Sequence, residues 1–308
     1  MSQTMFSEPE ERVALREAVA KLAGKYGREF VEKQAREGGK MTDMWLEMGR
    51  NGFLGVNIPE EFGGGGGGMS DLAAVLEECA TAGAPLLMMV VSPAICGSII
   101  TRCGTEEQKQ RWLPGIADGT HLMAFGITEA DAGSNSHQIT TTATRDGDHW
   151  LIKGQKTFIS GVDEAQSVLI VSRTEDAKTG KLKPALFVVP TDAEGFTKQP
   201  IPMSWQAPEK QFTLFFDGVR LPADALVGDE DGGLWQLFAG LNPERIMGGA
   251  FSCGMARYAL EKAVSYAKER SVWKDQAIGA HQGIAHPLAK TKIELEQARL
   301  LWQKAAAL

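Results

Sequence analysis

The spacing of apolar residues changes twice along this 308-residue chain, and that change constrains the fold more than any other feature. Residues 7–119 carry apolar side chains at three- and four-residue spacings, which is typical of amphipathic helices. From about 121 to 228 the period falls to two, with turns at Asp146-Gly147-Asp148 and Lys178-Thr179-Gly180. The helical period returns from Leu234. The sequence therefore predicts an α+β fold with an N-terminal α-helical bundle (1–119), a middle β-barrel or two-sheet domain (120–231) and a C-terminal α-helical bundle (232–308).

Composition narrows the functions that are possible. Apolar residues make up 43% and charged residues 23% of the chain, as in ordinary globular proteins. A net charge of −7 without a Lys/Arg-rich run argues against a nucleic-acid partner. The histidines and cysteines show neither HExxH nor CxxC spacing, so no metal site is expected. The longest apolar stretch, residues 85–100, is interrupted and too short to span a bilayer, and no targeting signal precedes it, which favours a cytoplasmic protein without membrane insertion.

Glycine and proline positions predict several breaks in the helical regions. Six consecutive glycines, Gly63–Gly68, indicate a surface loop because glycine loses the most entropy in regular structure. A capped helix is expected after Gly104 and should stop at Pro114. Pro243 removes a backbone hydrogen bond from a helical stretch, so a kink or a fresh helix start is expected there.

Two segments of the β region combine small and hydroxylated residues in a way that favours a binding site. Residues 125–135 read FGITEADAGSN and residues 153–161 read KGQKTFISG, with one hairpin between them. In the first, Gly133 and Ser134 offer the backbone N–H and hydroxyl groups that suit a flat heteroaromatic ring or a phosphate. In the second, Phe158 offers a π-face and Ser160 a hydroxyl. An ordinary hairpin with a Gly-Ser turn explains either segment alone, but the two together favour a flavin.

These motifs and their order resemble the acyl-CoA dehydrogenase family over essentially the whole chain. Further matching blocks are GFLGVNIPEEFGG at 52–64, GTEEQK at 104–109, DGVRLP at 217–222 and NPERI at 242–246. The resemblance implies FAD as cofactor and the oxidation of an acyl-CoA thioester to a trans-2-enoyl-CoA, as in fatty acid β-oxidation. It also implies an electron-transferring flavoprotein as electron acceptor and a homo-oligomer, either a tetramer or a dimer. The matching blocks do not identify the acyl group.

The resemblance also implies roles for individual residues. Three groups of positions match cofactor contacts of the family. The flavin-contacting strand is matched by Phe125, Ile127, Thr128, Gly133 and Ser134. The positions beside the isoalloxazine ring are matched by Phe158, Ile159 and Ser160, and those that reach FAD phosphates in a neighbouring subunit by Arg270 and Gln282. Positions that match substrate contacts are Ser134, Asn242 and Arg245.

Glu244 is the candidate catalytic base. It immediately precedes Arg245, as the base does in the branch that resembles isovaleryl-CoA dehydrogenase, and it would take the α-proton of the thioester. A solvated glutamate in the first turn after Pro243 is the alternative, since a carboxylate there suits the helix dipole. Related proteins continue beyond Leu308 for several helices, and another branch of the family carries its base in that region, so the assignment of the base stays open between the two.

Two other functions are compatible with the same motifs. An acyl-CoA oxidase or flavin monooxygenase would use the same fold but let oxygen react with the reduced flavin. A C-terminally incomplete chain could instead act as a non-catalytic scaffold that assembles with a longer relative.

Overall fold

The structure, a computed structural model, describes residues 8–175, 179–205, 207–230, 232–273 and 275–308. The chain divides into two compact units. The helical unit comprises residues 8–31, 69–86 and 245–308, and the sheet unit comprises Glu32–Gly68 and Leu87–Glu244. Lys178 of the predicted second turn lies outside the described residues.

As predicted, the α-helices lie at the beginning and at the end of the chain, with six before residue 119 and two after residue 232 among the described residues. They are α1 (Glu10–Ala23), α2 (Gly27–Glu37), α3 (Thr42–Arg50), α4 (Met69–Thr81), α5 (Ser98–Cys103), α6 (Glu106–Asp118), α7 (Gly233–Glu269) and α8 (Gln282–Ala307). A π-helical stretch, Val90–Gly97, leads directly into α5. Among the described residues, no helix is long and apolar enough to cross a membrane.

The predicted stop at Pro114 is wrong. Helix α6 begins at a capping box, in which Thr105 and Gln108 exchange side-chain and backbone hydrogen bonds, and it continues through Pro114 to Asp118. It ends where Gly119 adopts a left-handed conformation with φ 81°. Proline removes only one helical bond, and the buried side chains of Leu113 and Ile116 hold the helix on either side of it.

Helix α7 runs without a fresh start at Pro243, which corrects that part of the prediction. The proline lies inside the helix Gly233–Glu269. Its ring is buried, while its neighbours Asn242 and Glu244 are exposed. Burial of the ring offsets the loss of one backbone hydrogen bond.

Eight strands follow α6 and lie in one hydrogen-bonded sheet of the described residues. They are β1 (Met123–Gly126), β2 (Thr142–Asp146), β3 (His149–Ser160), β4 (Ser167–Glu175), β5 (Leu182–Pro190), β6 (Phe196–Ile201), β7 (Gln211–Pro222) and β8 (Leu226–Val227). The sheet order is β6-β7-β3-β2-β4-β5-β8, with β1 paired to β4. Both β1 and β2 run parallel to β4, whereas the other pairs are antiparallel.

The sequence predicts strands at 140–144, 150–153, 167–173, 184–189 and 212–219, and these five are confirmed as β2, β3, β4, β5 and β7. The structure adds strands that the period-two signal did not reveal. The β2–β3 turn contains Gly147 at φ 63°, as the predicted Asp-Gly turn requires. Strand β3 is longer than predicted and extends to Ser160. Strand β6 has only Phe196 buried and four exposed positions, so it carries almost no apolar signal and went unpredicted.

The core of the sheet unit lies between one face of the sheet and the helices that precede it. The buried cluster includes Ile95 and Ile99 of the π-helix and α5, Trp112 and Ile116 of α6, and Leu169 of β4. The Ser92 hydroxyl accepts a hydrogen bond of 3.1 Å from the Met123 amide, which ties the π-helical stretch to β1. This packing fixes the position of β1, where the first motif begins.

The glycine run is a surface loop, as predicted, and it is hydrogen-bonded to the preceding segment. The amides of Gly65 and Gly67 donate to the carbonyl oxygens of Gly55 (3.0 Å) and Val56 (2.8 Å). A Cβ on Gly64 would lie 2.1 Å from the Ile58 carbonyl oxygen, so a side chain has no room there. Close backbone approach therefore explains at least one glycine of the run.

The helical unit is held by close helix packing and by buried charges. Gly254 of α7 lies against α4, where a Cβ would come within 2.4 Å of the Glu77 carbonyl oxygen. The Glu77 carboxylate is fully buried and accepts hydrogen bonds of 2.6 Å from both Arg16 and Arg299. Four large apolar residues of α8 are exposed in this chain: Ile284, Ile293, Leu300 and Leu301.

Candidate functional site

The first motif begins on β1 and continues in a long loop. Strand β1 pairs with β4 as far as Gly126, and the chain returns to β4 at Thr142 of β2. Residues 127–141 therefore lie outside the sheet. Phe125 and Ile127 pack partly buried against the core, while Thr128 is half-buried. Gly133 and Ser134 are exposed at the outer part of the loop, and a Cβ on Gly133 would meet no atom within 4 Å. The loop therefore presents small polar groups to open space.

The second motif contains an unusual backbone conformation. The β3–β7 ladder shifts register between Lys156 and Ile159, which marks a bulge. Within it, Phe158 adopts φ 57°, a region that side-chain-bearing residues rarely occupy, and its side chain is 61% exposed. Such a conformation costs on the order of 1–3 kcal/mol and is found mainly at functional sites. The bulge turns Phe158 outward while Ile159 stays buried, so the aromatic ring is available to a ligand.

Ser160 ends β3 with its hydroxyl held by a neighbouring side chain. The Gln211 side-chain amide of β7 donates from Nε2 to the Ser160 hydroxyl across 2.8 Å, and the hydroxyl lies 3.2 Å from Gln211 Oε1. Gly161 follows at φ 66°, with the Met88 sulfur 2.6 Å from where a Cβ would lie. Both features fix the direction of the chain directly after Ser160.

The two motifs lie side by side. The Thr157 amide donates to the Thr128 carbonyl oxygen across 2.9 Å. The Lys156 ammonium donates to the Ile127 carbonyl oxygen (3.0 Å) and to the Glu129 carboxylate (2.7 Å). The structure thus brings Ile127 and Thr128 of the first segment beside the part of β3 that leads into Phe158, Ile159 and Ser160, whereas Gly133 and Ser134 lie further along the loop.

The Glu129–Lys156 ion pair is a feature that sequence reasoning missed. Its side chains are 4% and 0% exposed, respectively. Burial by itself raises the pKa of Glu129, but hydrogen bonds from Lys156 and Thr141 outweigh it and lower this pKa to about 2. Burial lowers the pKa of Lys156 to about 8, although Glu129 favours the charged form. Both residues stand inside the quoted motifs, but so do Asp131 and Lys153, so the sequence offered one acidic and one basic segment without singling out this pair.

The remaining predicted residues lie on the helices. Asn242, Glu244 and Arg245 follow one another on α7 and are exposed, with Glu244 in the sheet unit and Arg245 in the helical unit. Arg270 follows α7 and Gln282 begins α8, and both are exposed in the helical unit. Between them lies a short hairpin of β9 (Ser271–Trp273) and β10 (Gln276–Ala277). No group of three or more His, Cys, Asp or Glu residues in the described part of the chain is placed to hold a metal ion.

Comparison with family models gives three consecutive matches. Models described as the N-terminal, middle and C-terminal domains of acyl-CoA dehydrogenase match residues 9–120, 124–219 and 231–308. Both motifs fall within the middle-domain match, and Glu244, Arg270 and Gln282 fall within the C-terminal match.

Individual relatives agree with these matches. The chain is 63% identical over 308 residues to acyl-CoA dehydrogenase FadE12 of Mycobacterium tuberculosis, covering all of this chain and 79% of that protein. A solved glutaryl-coenzyme A dehydrogenase in complex with glutaryl-CoA superposes with a TM-score of 0.93 at 30% identity, over 99% of this chain and 78% of that one. A glutaryl-CoA dehydrogenase from Mycobacterium smegmatis, solved in complex with FADH2, superposes with a TM-score of 0.88 at 27% identity, over 96% and 75% of the two chains.

Proposed function

Because the chain belongs to the acyl-CoA dehydrogenase family and is thus an oxidoreductase, we propose that it binds FAD and oxidises an acyl-CoA thioester to a trans-2-enoyl-CoA. The observation that carries the proposal is the paired arrangement of the two motifs. The Thr157–Thr128 hydrogen bond of 2.9 Å joins them, and the bulge beside it holds the Phe158 ring outward. An exposed aromatic face beside a hydroxyl is what a flat flavin ring requires.

The residues of this arrangement fit the cofactor. Phe158 offers its face to the isoalloxazine ring, Ser160 offers a hydroxyl at the ring edge, and Thr128 is half-buried at the start of the loop, where its carbonyl oxygen accepts from the Thr157 amide. Gly133 leaves open space for close approach of a ligand to the backbone. Arg270 and Gln282 would hold the phosphates of FAD bound by a neighbouring subunit. When bound, FAD supplies acceptance of the hydride that leaves the β-carbon of the acyl group.

Glu244 is the proposed catalytic base. The α-proton of a thioester is a weak acid, so the site must combine a positioned carboxylate with stabilisation of the charge that develops on the thioester oxygen. Glu244 is exposed on α7 in the free chain. A bound acyl thioester would exclude water from this carboxylate, and a desolvated carboxylate is a stronger base. Asn242, Arg245 and Ser134 would position the acyl-CoA.

The partners follow from the same proposal. Electrons leave the enzyme for an electron-transferring flavoprotein, as in fatty acid β-oxidation. FAD phosphate contacts from a neighbouring subunit require a homo-oligomer, a dimer or a tetramer. The working domains are an N-terminal helical domain (1–119), a flavin-binding β domain (120–231) and a C-terminal helical domain (232–308).

Product analysis tests this proposal. The purified chain, supplied with FAD, is incubated without oxygen with saturated acyl-CoAs of different chain length and branching and an artificial electron acceptor. A product two hydrogens lighter than one of the substrates, with a trans-2 double bond, is the expected result. Product formation only in the presence of oxygen, with release of peroxide, would assign the chain to the oxidases instead. Absence of any product with a fully FAD-loaded chain would contradict the proposed activity.

A further inference from the structure

We propose that Glu129 and Lys156 form a buried positioning pair that sets the geometry between the two FAD-binding segments. This inference rests on the proposed function, since it assigns the pair a role in FAD binding. Neither residue faces the open side of the site: their side chains are 4% and 0% exposed. They act through the residues that they hold, not by touching the cofactor.

Lys156 connects the segments from the β3 side. Its ammonium donates to the Ile127 carbonyl oxygen (3.0 Å) and to the Glu129 carboxylate (2.7 Å), so one side chain satisfies two acceptors of the first motif. The stem of the lysine passes Gly126, where a Cβ would lie 3.5 Å from Lys156 Cγ. Because Lys156 is fixed on the buried side and the bulge follows at once, Phe158 is forced to the exposed side.

Glu129 closes the loop of the first motif. Its carboxylate accepts hydrogen bonds from the Thr140 amide (2.6 Å), the Thr140 hydroxyl (2.8 Å) and the Thr141 amide (3.0 Å). Its backbone also exchanges two hydrogen bonds with Ala132, at 3.2 and 3.1 Å. Glu129 therefore holds both ends of the loop that presents Gly133 and Ser134, and through Lys156 it couples that loop to the strand that carries Phe158.

The Glu129–Lys156 ion pair is better explained by its effect on the geometry of the two segments than by a contribution to the free energy of folding. Taking two ions out of water costs free energy that their attraction only partly returns, so an apolar pair of the same volume would often stabilise as well. An apolar pair, however, would leave the Ile127 carbonyl and the Thr140 and Thr141 amides without their present partners. Hydrogen bonds to charged groups have a preferred distance and direction, so the ion pair with its hydrogen bonds fixes how the two segments are placed relative to each other.

Four variants test the inference: E129Q, K156M, the double variant E129Q/K156M, and Q108M as control. Gln108 is also a buried polar residue of the sheet unit; it donates to the Asp224 (2.8 Å) and Leu226 (2.7 Å) carbonyl oxygens, away from both motifs. Each protein is stripped of FAD, its thermal unfolding is recorded, and its FAD affinity is measured by flavin fluorescence. We expect FAD affinity to fall at least tenfold in both single variants and no further in the double variant, because the residues act as one unit. Q108M should lower the melting temperature without this loss.

A milder pair of variants covers the case in which the single variants do not fold. T140V removes only the hydroxyl bond to Glu129, and T191V removes a bond of similar length (2.7 Å) to the Ala165 carbonyl oxygen in the same unit. We expect T140V to weaken FAD binding several-fold and T191V to leave it unchanged. In the FAD-free protein, amide exchange at Thr141 and Thr157 should accelerate in T140V but not in T191V.

The outcomes separate the inference from the function on which it rests. A wild-type chain that binds no FAD overturns the proposed function and this inference together. A wild-type chain that binds FAD, with E129Q, K156M or T140V within twofold of its affinity, overturns the inference alone. Loss of FAD affinity in Q108M or T191V in proportion to their loss of stability also overturns it, since the pair would then be merely structural.

Discussion

The Thr157 amide and the Thr128 carbonyl oxygen lie 2.9 Å apart in a hydrogen bond that joins two segments from different strands. One residue after Thr157, the backbone of Phe158 turns into the left-handed region at φ 57°. The exposed aromatic residue therefore follows directly after the point where the start of the loop that carries Gly133 and Ser134 is hydrogen-bonded to β3. The candidate site is thus built from backbone geometry as much as from side chains.

Replacing Phe158 should separate its role in binding from its cost in stability. Both F158A and F158G remove the ring, so both should weaken FAD binding by roughly ten- to a hundredfold, the value of a stacked aromatic. At φ 57°, glycine is unstrained and alanine is not, so F158G should be about 1 kcal/mol more stable than F158A. FAD titration and urea unfolding measure the two effects. Equal stability of the two variants would argue against a strained backbone at this position.

The matched control for Phe158 is F215A. Phe215 lies on β7 in the same sheet, and its side chain is also exposed, at 37%. Its backbone, unlike that of Phe158, does not adopt a positive φ. F215A should keep wild-type FAD affinity, and a loss as large as in F158A would point to a general effect of removing surface aromatics.

Substitution of the proposed base should affect chemistry and leave the cofactor in place. E244Q keeps the size of the side chain but removes the carboxylate that would take the α-proton, so flavin reduction by substrate should slow by about 10² to 10⁴-fold. FAD content should remain that of the wild type. E261Q changes another exposed glutamate of α7 and should reduce at the wild-type rate. Stopped-flow measurement of flavin reduction compares them, and a wild-type rate in E244Q would place the base elsewhere.

Stability should fall as pH rises through neutrality because of Glu209. Burial raises the pKa of this carboxyl to about 7, even though its own amide and that of Leu87 donate to it. Between about pH 4.5 and 7, the Glu209 carboxyl is therefore protonated in the folded state and ionised in the unfolded state. The contribution of Glu209 is fully present below this range and is lost as pH rises through 7. Urea unfolding at pH 5 and pH 8 should show that the free energy of unfolding decreases less between these pH values in E209Q than in the wild type. Equal decreases in the two proteins would contradict the raised pKa.

The buried charges of the helical unit should matter for stability. Glu77 is fully buried and binds Arg16 and Arg299 at 2.6 Å, so E77Q removes the carboxylate that these two arginines share. Arg16 keeps Glu8 and Glu78, and Arg299 keeps Glu296, so a decrease of about 1–3 kcal/mol in the free energy of unfolding is expected. The exposed Lys290–Glu294 pair, at 3.8 Å, is the control, and E294Q should change stability by less than about 0.5 kcal/mol. Similar effects of E77Q and E294Q in chemical unfolding would show that burial does not strengthen the network.

The order of helices and strands could be predicted because apolar periodicity reports which face of an element is buried. The five predicted strands are present for this reason. Strand β6 was missed because only Phe196 is buried along it. The predicted stop at Pro114 and the fresh helix start at Pro243 were wrong, because buried side chains beside Pro114 and the buried ring of Pro243 hold the helices in place, and a local rule does not include that contribution.

The candidate site could be predicted in part. Phe158 and Ser160 were recognisable from their residue types and their motif, but the left-handed backbone at Phe158 was not, since phenylalanine has no preference for it. The Glu129–Lys156 pair also could not be inferred, because its contact depends on how the loop after β1 folds back onto β3. The roles of Glu244, Arg270 and Gln282 remain predictions.

The central claim, that this chain is an FAD-dependent acyl-CoA dehydrogenase, is tested most directly by following the flavin itself. The purified chain is mixed without oxygen with a series of acyl-CoAs, and the oxidised-flavin absorption band is recorded. Bleaching of the band by one class of acyl-CoA is the predicted result, and it would also identify the acyl group. A yellow protein whose band no acyl-CoA bleaches, or a colourless protein that takes up no FAD, would contradict the claim.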